Sequence, residues 1–120
     1  MARILICDDS SFMRMMLKRI LTGKGHEVVG EAGNGNQALA LYKELKPDVT
    51  TMDITMPELD GLGALKLIRA EDKTAKVVMV SAIGQKEIMT EAIRSGASDF
   101  LVKPFEEEQV IMVVNKILRL

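Results

Sequence analysis

At 120 residues, 48% of them apolar, the chain has the size of one compact domain and enough apolar surface to bury a real core. Its 16 basic and 17 acidic residues leave a net charge of −1, which gives no general attraction to nucleic acid or to a membrane surface. One cysteine (Cys7) and one histidine (His26) exclude an internal disulfide and a four-ligand zinc shell.

Along the chain, short apolar or β-branched runs recur at 3–7 (RILIC), 27–31 (EVVGE), 48–52 (DVTTM), 76–80 (KVVMV) and 98–102 (SDFLV), and each reads as a strand. Helical spacing fills the intervals. The first helix, 11–22, carries Phe12, Met16 and Ile20 on one line, with Met13, Leu17 and Leu21 beside it. Ser10 or Ser11 can cap its start, and Gly23 or Gly25 can end it. The second helix runs from about Asn36 to Lys46 and stops at Pro47, after a GNGN stretch read as a flexible turn. The third runs from Asp60, an N-cap, to about Glu71. The fourth spans about 85–95 and ends at Gly96. The fifth runs from about Glu106 to Arg119, with acidic residues 106–108 at the positive end of its dipole. Cys7 reads as a small core residue and His26 as a solvated loop residue.

This alternation is (βα)5. It predicts a single α/β domain over residues 1–120, a doubly wound parallel sheet with helices on both faces. No run of 18 apolar residues and no signal-peptide pattern occurs, so a cytoplasmic location is the expectation. The last helix contains an unbroken apolar run, VIMVV at 110–114, and Met13, Met15 and Met16 crowd the first. Core contact on one side explains both; a docking surface for a partner is the sharper reading.

Four strands stop at a chemically useful residue: Asp8 and Asp9 after the first, Asp53 after the third, Ser81 after the fourth, Lys103 after the fifth. In open α/β sheets, ligands bind beyond the carboxyl ends of the strands, where the strand order reverses. With the flavodoxin-like order 2-1-3-4-5, the first and third strands are neighbours. The three aspartates then meet at the switch point, with Ser81 and Lys103 on its flank. Any one of these residues alone would be an ordinary cap, turn or surface charge; five at strand ends are not. Three carboxylates in one cleft repel. Mg²⁺ relieves that conflict, since it favours one or two carboxylates, water and a phosphate. Asp53 is then the acceptor of a phosphoryl group as an acyl phosphate, with Lys103 stabilising charge on the transferring group. No basic residue follows Asp8 and Asp9 before Arg14, so no fixed cation is expected to compete with the metal.

The stretches DDSSFMR, MDITMPELDG, VSAIG and FLVKPF together resemble the receiver domain of two-component response regulators, and the resemblance spans the whole chain. Within that family it is most similar to the stand-alone chemotaxis regulators that control flagellar rotation. The resemblance implies a signalling switch phosphorylated on Asp53 by a histidine kinase of CheA type. It implies Mg²⁺ held by Asp9, Asp53 and the Thr55 carbonyl, with Asp8 acting largely through water. It implies Ser81 and Lys103 on the phosphoryl oxygens and a cis Lys103–Pro104 bond. Phe100, three residues before the lysine, would turn inward as Ser81 moves, altering the surface of the fourth helix, fifth strand and fifth helix. The implied partners are that kinase, a flagellar motor switch protein and a dedicated phosphatase, with the chain itself a monomer. Phe100 stands where the enteric form has Tyr, so any hydrogen bond from that hydroxyl is missing. Thr55 and Ile83 flank the approach to the phosphoryl group with neutral side chains that cannot activate water.

Two alternatives stay within the family: the excised receiver of a DNA-binding regulator, or a single-domain phosphorelay protein. A phosphatase of the haloacid dehalogenase type would need an acid two residues after Asp53, where Thr55 stands, so no enzyme acting on external phosphate esters is expected. A nucleotide-binding P-loop would need a Lys-Ser/Thr ending that GNGN lacks.

Overall fold

The structure is a computed structural model and describes residues 1–119. Five strands and five helices alternate: β1 (Arg3–Cys7), α1 (Ser11–Gly23), β2 (Glu27–Ala32), α2 (Gly35–Leu45), β3 (Val49–Asp53), α3 (Gly61–Glu71), β4 (Val77–Ala82), α4 (Lys86–Arg94), β5 (Asp99–Lys103) and α5 (Glu107–Leu118). All strand pairs are parallel, in the order β2-β1-β3-β4-β5. From β1 the chain winds first to β2 on one side and then to β3 on the other, so the switch point lies between β1 and β3. No helix among the described residues is long and apolar enough to cross a membrane.

Side chains alternate across the sheet and divide the core in two. Ile4, Ile6, Val49, Val78, Val80 and Leu101 face α1 and α5, meeting Leu17, Leu21, Val110 and Val114. Leu5, Cys7, Met52, Val77 and Met79 face α2, α3 and α4, meeting Ala38, Leu65, Ile68 and Met89. The central strands are buried on both sides, which is why they read as continuous apolar runs rather than as alternating ones.

Local chemistry sets the helix starts. Ser10, not Ser11, caps α1, its hydroxyl accepting from Met13 N at 3.2 Å. Asp60 caps α3 through Gly63 N at 2.7 Å. At α5, the Gln109 side chain reaches back to Glu106 N at 2.8 Å. The GNGN stretch is not a free turn: Asn34 caps α2 by accepting from Gln37 N at 2.8 Å, and Gly35 and Asn36 already belong to the helix. Gly35 is required there, since a Cβ would sit 1.9 Å from the Leu59 carbonyl oxygen.

Three further expectations change. In α1 the buried line is Leu17, Ile20 and Leu21, whereas Phe12 is 63% exposed. The apolar run of α5, by contrast, splits as core contact on one side requires, with Val110 and Val114 buried and Met112 exposed. His26 is half-buried and not solvated, for its Nδ1 accepts the Ala2 N–H at 3.1 Å. The strands β3, β4 and β5 each run one or two residues further than their apolar runs suggest, so Asp53, Ser81 and Lys103 lie inside strand ends and not beyond them.

Candidate phosphoacceptor site

The carboxyl ends of β1, β3 and β5 deliver the charged groups to one place. Carboxylate oxygens of Asp8, Asp9 and Asp53 all lie within 4.8 Å of one another. Asp8 is 1% exposed and Asp53 6%, while Asp9 faces solvent. Lys103 Nζ reaches over from β5 and lies 3.1 Å from Asp8 Oδ2 and 3.2 Å from Asp53 Oδ2. The lysine thus bridges the two buried carboxylates. This corrects the expectation that no fixed cation stands beside the aspartate pair: Lys103, expected on the flank of the site, pairs directly with the two buried carboxylates.

Arg14 also approaches. Its guanidinium donates to the Asp8 main-chain carbonyl and, through Nε, to Glu31 Oε1 at 3.1 Å. It thereby ties the end of β1 to β2 without touching the Asp8 carboxylate. That carboxylate is already engaged at both oxygens, Oδ1 accepting from Ser10 N at 2.9 Å and Oδ2 from Lys103. Asp9 is the carboxylate most open to an incoming cation.

The electrostatics follow the packing. Burial, and then the Asp8 carboxylate, push the Asp53 carboxyl above its usual range; Lys103 and the Thr55 N–H at 3.4 Å act against this without cancelling it. Desolvation works to lower the Lys103 ammonium, yet the two aspartates hold it above its ordinary value, so it stays charged. Burial, with Asp8 second, pushes the Cys7 thiol up, so that side chain is inert.

Ser81 is 3% exposed, one residue beyond Val80, the register partner of Asp53. Its hydroxyl makes no hydrogen bond among the described residues. Ser81 and Phe100 line one groove of about 400 Å3 between α4 and β5, together with Met89, Ile93 and Val102. Phe100 is 43% exposed and so stands turned outward at the rim of that groove. The Lys103–Pro104 bond is cis.

Glycine makes the site geometrically feasible. A Cβ on Gly61 would fall 1.9 Å from the Asp53 carbonyl oxygen, so only glycine lets the start of α3 pass so close behind the acceptor. The loop between them turns through Glu58, which has φ 68°.

One residue to which the sequence reading gave no role is Gln85, at the start of α4. Its Oε1 accepts from Ala82 N at 2.7 Å and its Nε2 donates to Thr55 Oγ1 at 3.2 Å. The only local signal was an amide three residues after a strand end, too common a pattern to single out.

Charge, fold and strand-end placement together define a receiver domain. The family model of the response regulator receiver domain matches residues 4–115. The chain belongs to that family and is the receiver domain of a two-component response regulator. It is closely related to the chemotaxis protein CheY: it is 55% identical to that protein of Thermotoga maritima over 115 residues, 96% of each chain. It is equally 55% identical to that of Bacillus subtilis over 116 residues, 97% of each chain. Among solved structures it is similar to the CheX–CheY–BeF3–Mg complex of Borrelia burgdorferi, with a TM-score of 0.93 at 36% identity, covering 97% of this chain and 88% of that one. Receiver domains bind Mg²⁺ at an acidic pocket, and the cluster of Asp8, Asp9 and Asp53 offers the hard oxygen donors that such an ion takes.

Proposed function

We propose that this chain is a chemotaxis switch that takes a phosphoryl group on Asp53 from a histidine kinase of CheA type and then binds a flagellar motor switch protein. The observation that carries the reading is the buried Asp53 carboxylate, held between Lys103 and the Asp8–Asp9 pair. The 55% identity to two chemotaxis proteins over nearly their full lengths favours the chemotaxis role over the receiver of a DNA-binding regulator.

In transfer, an Asp53 carboxylate oxygen attacks phosphorus of the kinase phosphohistidine. The P–N bond breaks, its electron pair stays on the imidazole nitrogen, and that nitrogen takes up a proton. Lys103 leaves Asp53 Oδ2 for an oxygen of the arriving group, keeping its charge. The Ser81 hydroxyl, uncommitted beside the groove, donates to a second oxygen. Asp9, Asp53 and the Thr55 carbonyl, with Asp8 through water, would hold Mg²⁺, which would neutralise charge on the same group.

As Ser81 is drawn toward the phosphoryl oxygens, it vacates one wall of the groove that it shares with Phe100. The ring can then swing inward and reshape the face made by α4, β5 and α5. The group would be gained and lost by self-catalysis only, and Thr55, standing where a second acid would be needed, argues against turnover of external phosphate esters. We place the protein in the cytoplasm as a monomer, with a dedicated phosphatase among its partners.

Incubation with acetyl phosphate and Mg²⁺, read by intact mass, tests the acceptor. The wild type gains one phosphoryl mass and Asp53→Asn gains none; no adduct on the wild type removes the central claim. Capture of a purified motor switch protein only by the beryllofluoride-bound form supports the chemotaxis role, and a phosphorylation-driven dimer, read by mass in solution, supports the transcriptional alternative.

A further inference from the structure

The Gln85 side chain bridges the two loops that border Asp53, and the reason lies in how the sheet ends. Ile54 N donates to the Val80 carbonyl at 3.0 Å, a regular parallel rung. The next rung would run from Ala82 N to the Ile54 carbonyl. That oxygen already accepts from Gly61 N at 2.8 Å, because the chain has turned into α3. The Ala82 N–H is therefore a ladder donor left over at the strand end, directly after Ser81, and Gln85 Oε1 takes it at 2.7 Å. The other end of the same amide holds Thr55 Oγ1, two residues after Asp53. Gln85 begins α4 without any side-chain cap of that helix, so its amide is wholly committed to the two loops.

We propose that Gln85 is a positioning residue that latches the unphosphorylated state. Its amide ties the loop after β4 to the loop after β3 and occupies the Ala82 N–H until a phosphoryl oxygen claims that donor. This rests on Asp53 being the phosphoryl acceptor. A group on Asp53 brings three strong acceptor oxygens beside Ser81. An amide carbonyl competes poorly with such an anion for an N–H, since charge-assisted hydrogen bonds are roughly twice as strong. When the donor changes partner, Gln85 loses its firmer contact, and the first turn of α4 is released at the rim of the Ser81–Phe100 groove. The latch thus sets a threshold against spontaneous adoption of the phosphorylated conformation.

The test titrates beryllofluoride with Mg²⁺ by calorimetry into the full chain. The variants are Gln85→Ala, Thr55→Val, which removes one of the two contacts and leaves the Thr55 carbonyl in place, and the double substitution. Gln85→Ala is expected to bind the mimic about threefold to tenfold more tightly, the yield of one released hydrogen bond. Thr55→Val shifts in the same direction by less, and the double variant binds no tighter than Gln85→Ala alone. A merely structural role would lower the melting temperature of the free protein without tightening the mimic. Unchanged or weaker binding by Gln85→Ala, with normal wild-type binding, overturns the latch alone. Failure of the wild type to bind overturns the acceptor reading and the latch with it. Should Gln85→Ala not fold, unchanged or weaker binding by Thr55→Val overturns the latch.

Discussion

Lys103 Nζ lies 3.2 Å from Asp53 Oδ2, and even so the Asp53 carboxyl is held above its ordinary pKa. Burial and the Asp8 charge outweigh the lysine. A carboxylate whose folded pKa is raised binds protons more readily in the folded state than in the unfolded one. Its ionisation therefore costs stability as pH rises through the folded pKa. Asp53→Asn is expected to be more stable than wild type at neutral pH. That advantage shrinks as pH falls through the raised pKa, where the wild-type carboxyl becomes neutral too. Urea midpoints measured for both proteins across that range check the sign, and a destabilised Asp53→Asn at neutral pH would refute it.

The same repulsion predicts stabilisation by metal. An ion that binds only the folded protein adds RT ln(1 + [L]/Kd), about 2.7 kcal/mol at 100 times Kd. Mg²⁺ is expected to raise the melting temperature of the wild type, and EDTA to reverse the rise. Asp9 is exposed and makes no hydrogen bond among the described residues, so Asp9→Asn leaves the metal-free melting temperature unchanged or slightly raised, one repelling charge being gone, while removing most of the Mg²⁺ response. A full response in Asp9→Asn would shift the role to Asp8.

The fold was legible because each β1, β3 and β4 residue faces a helix layer, giving dense apolar runs that stop at charged or hydroxylic residues. The acidic cluster was legible for the same reason: a buried strand has little cause to end in Asp8 or Asp53 unless the charge is used. What could not be read is whatever depends on side chains meeting across the sheet. Its strand-end position placed Lys103 near the aspartates, but nothing marked its direct pairing with Asp8, 95 residues away. Arg14 looks like a surface charge until β2 brings Glu31 beside it. His26 sits in a Gly-rich turn, yet the chain start folds back on it. Phe12 and Met112 belong to apolar stretches of their helices, but an unbroken apolar stretch does not say which of its residues face the sheet.

His26 gives a second, opposite pH effect. Desolvation, and then the N-terminal ammonium, lower its pKa below 6.5. The unfolded chain takes up that proton first, so stability is lost as pH falls below about 6.5, and the Ala2 N–H contact to Nδ1 is lost with protonation. His26→Asn keeps an acceptor without the titration. Its urea midpoint should fall less than that of wild type over this interval; parallel curves would show that the histidine does not contribute.

Ile83 is 77% exposed on the loop after β4, and Thr55 is exposed on the loop after β3. Neither side chain can act as an acid or base toward water, so the lifetime of the phosphoryl group is expected to depend on access. Replacing Ile83 with serine admits water and shortens that lifetime, as timed by phosphate release from the phosphorylated protein. An unchanged rate would mean that Ile83 does not shield the group.

Gly61 and Gly63 separate the packing of α3 from its helical preference. At Gly61 a Cβ would meet the Asp53 carbonyl oxygen at 1.9 Å and Ile54 Cα at 2.9 Å, both backbone atoms that cannot move without moving the acceptor. At Gly63 the nearest atom, at 2.7 Å, is the Leu59 Cδ1 methyl, the end of a flexible side chain. Alanine also gains about 1 kcal/mol over glycine inside a helix. Gly63→Ala should therefore be near neutral, the gain offsetting the displaced methyl. Gly61→Ala should lose at least about 1–3 kcal/mol, the usual cost of overpacking, and also slow phosphoryl uptake, because the relief of the clash displaces Asp53 from Lys103. Denaturant midpoints give the first difference. Acetyl phosphate uptake, measured well below the melting temperature of the variant, gives the second. A Gly61→Ala protein that is destabilised but takes up the phosphoryl group at the wild-type rate would show that α3 relaxes away from the site without carrying Asp53 with it.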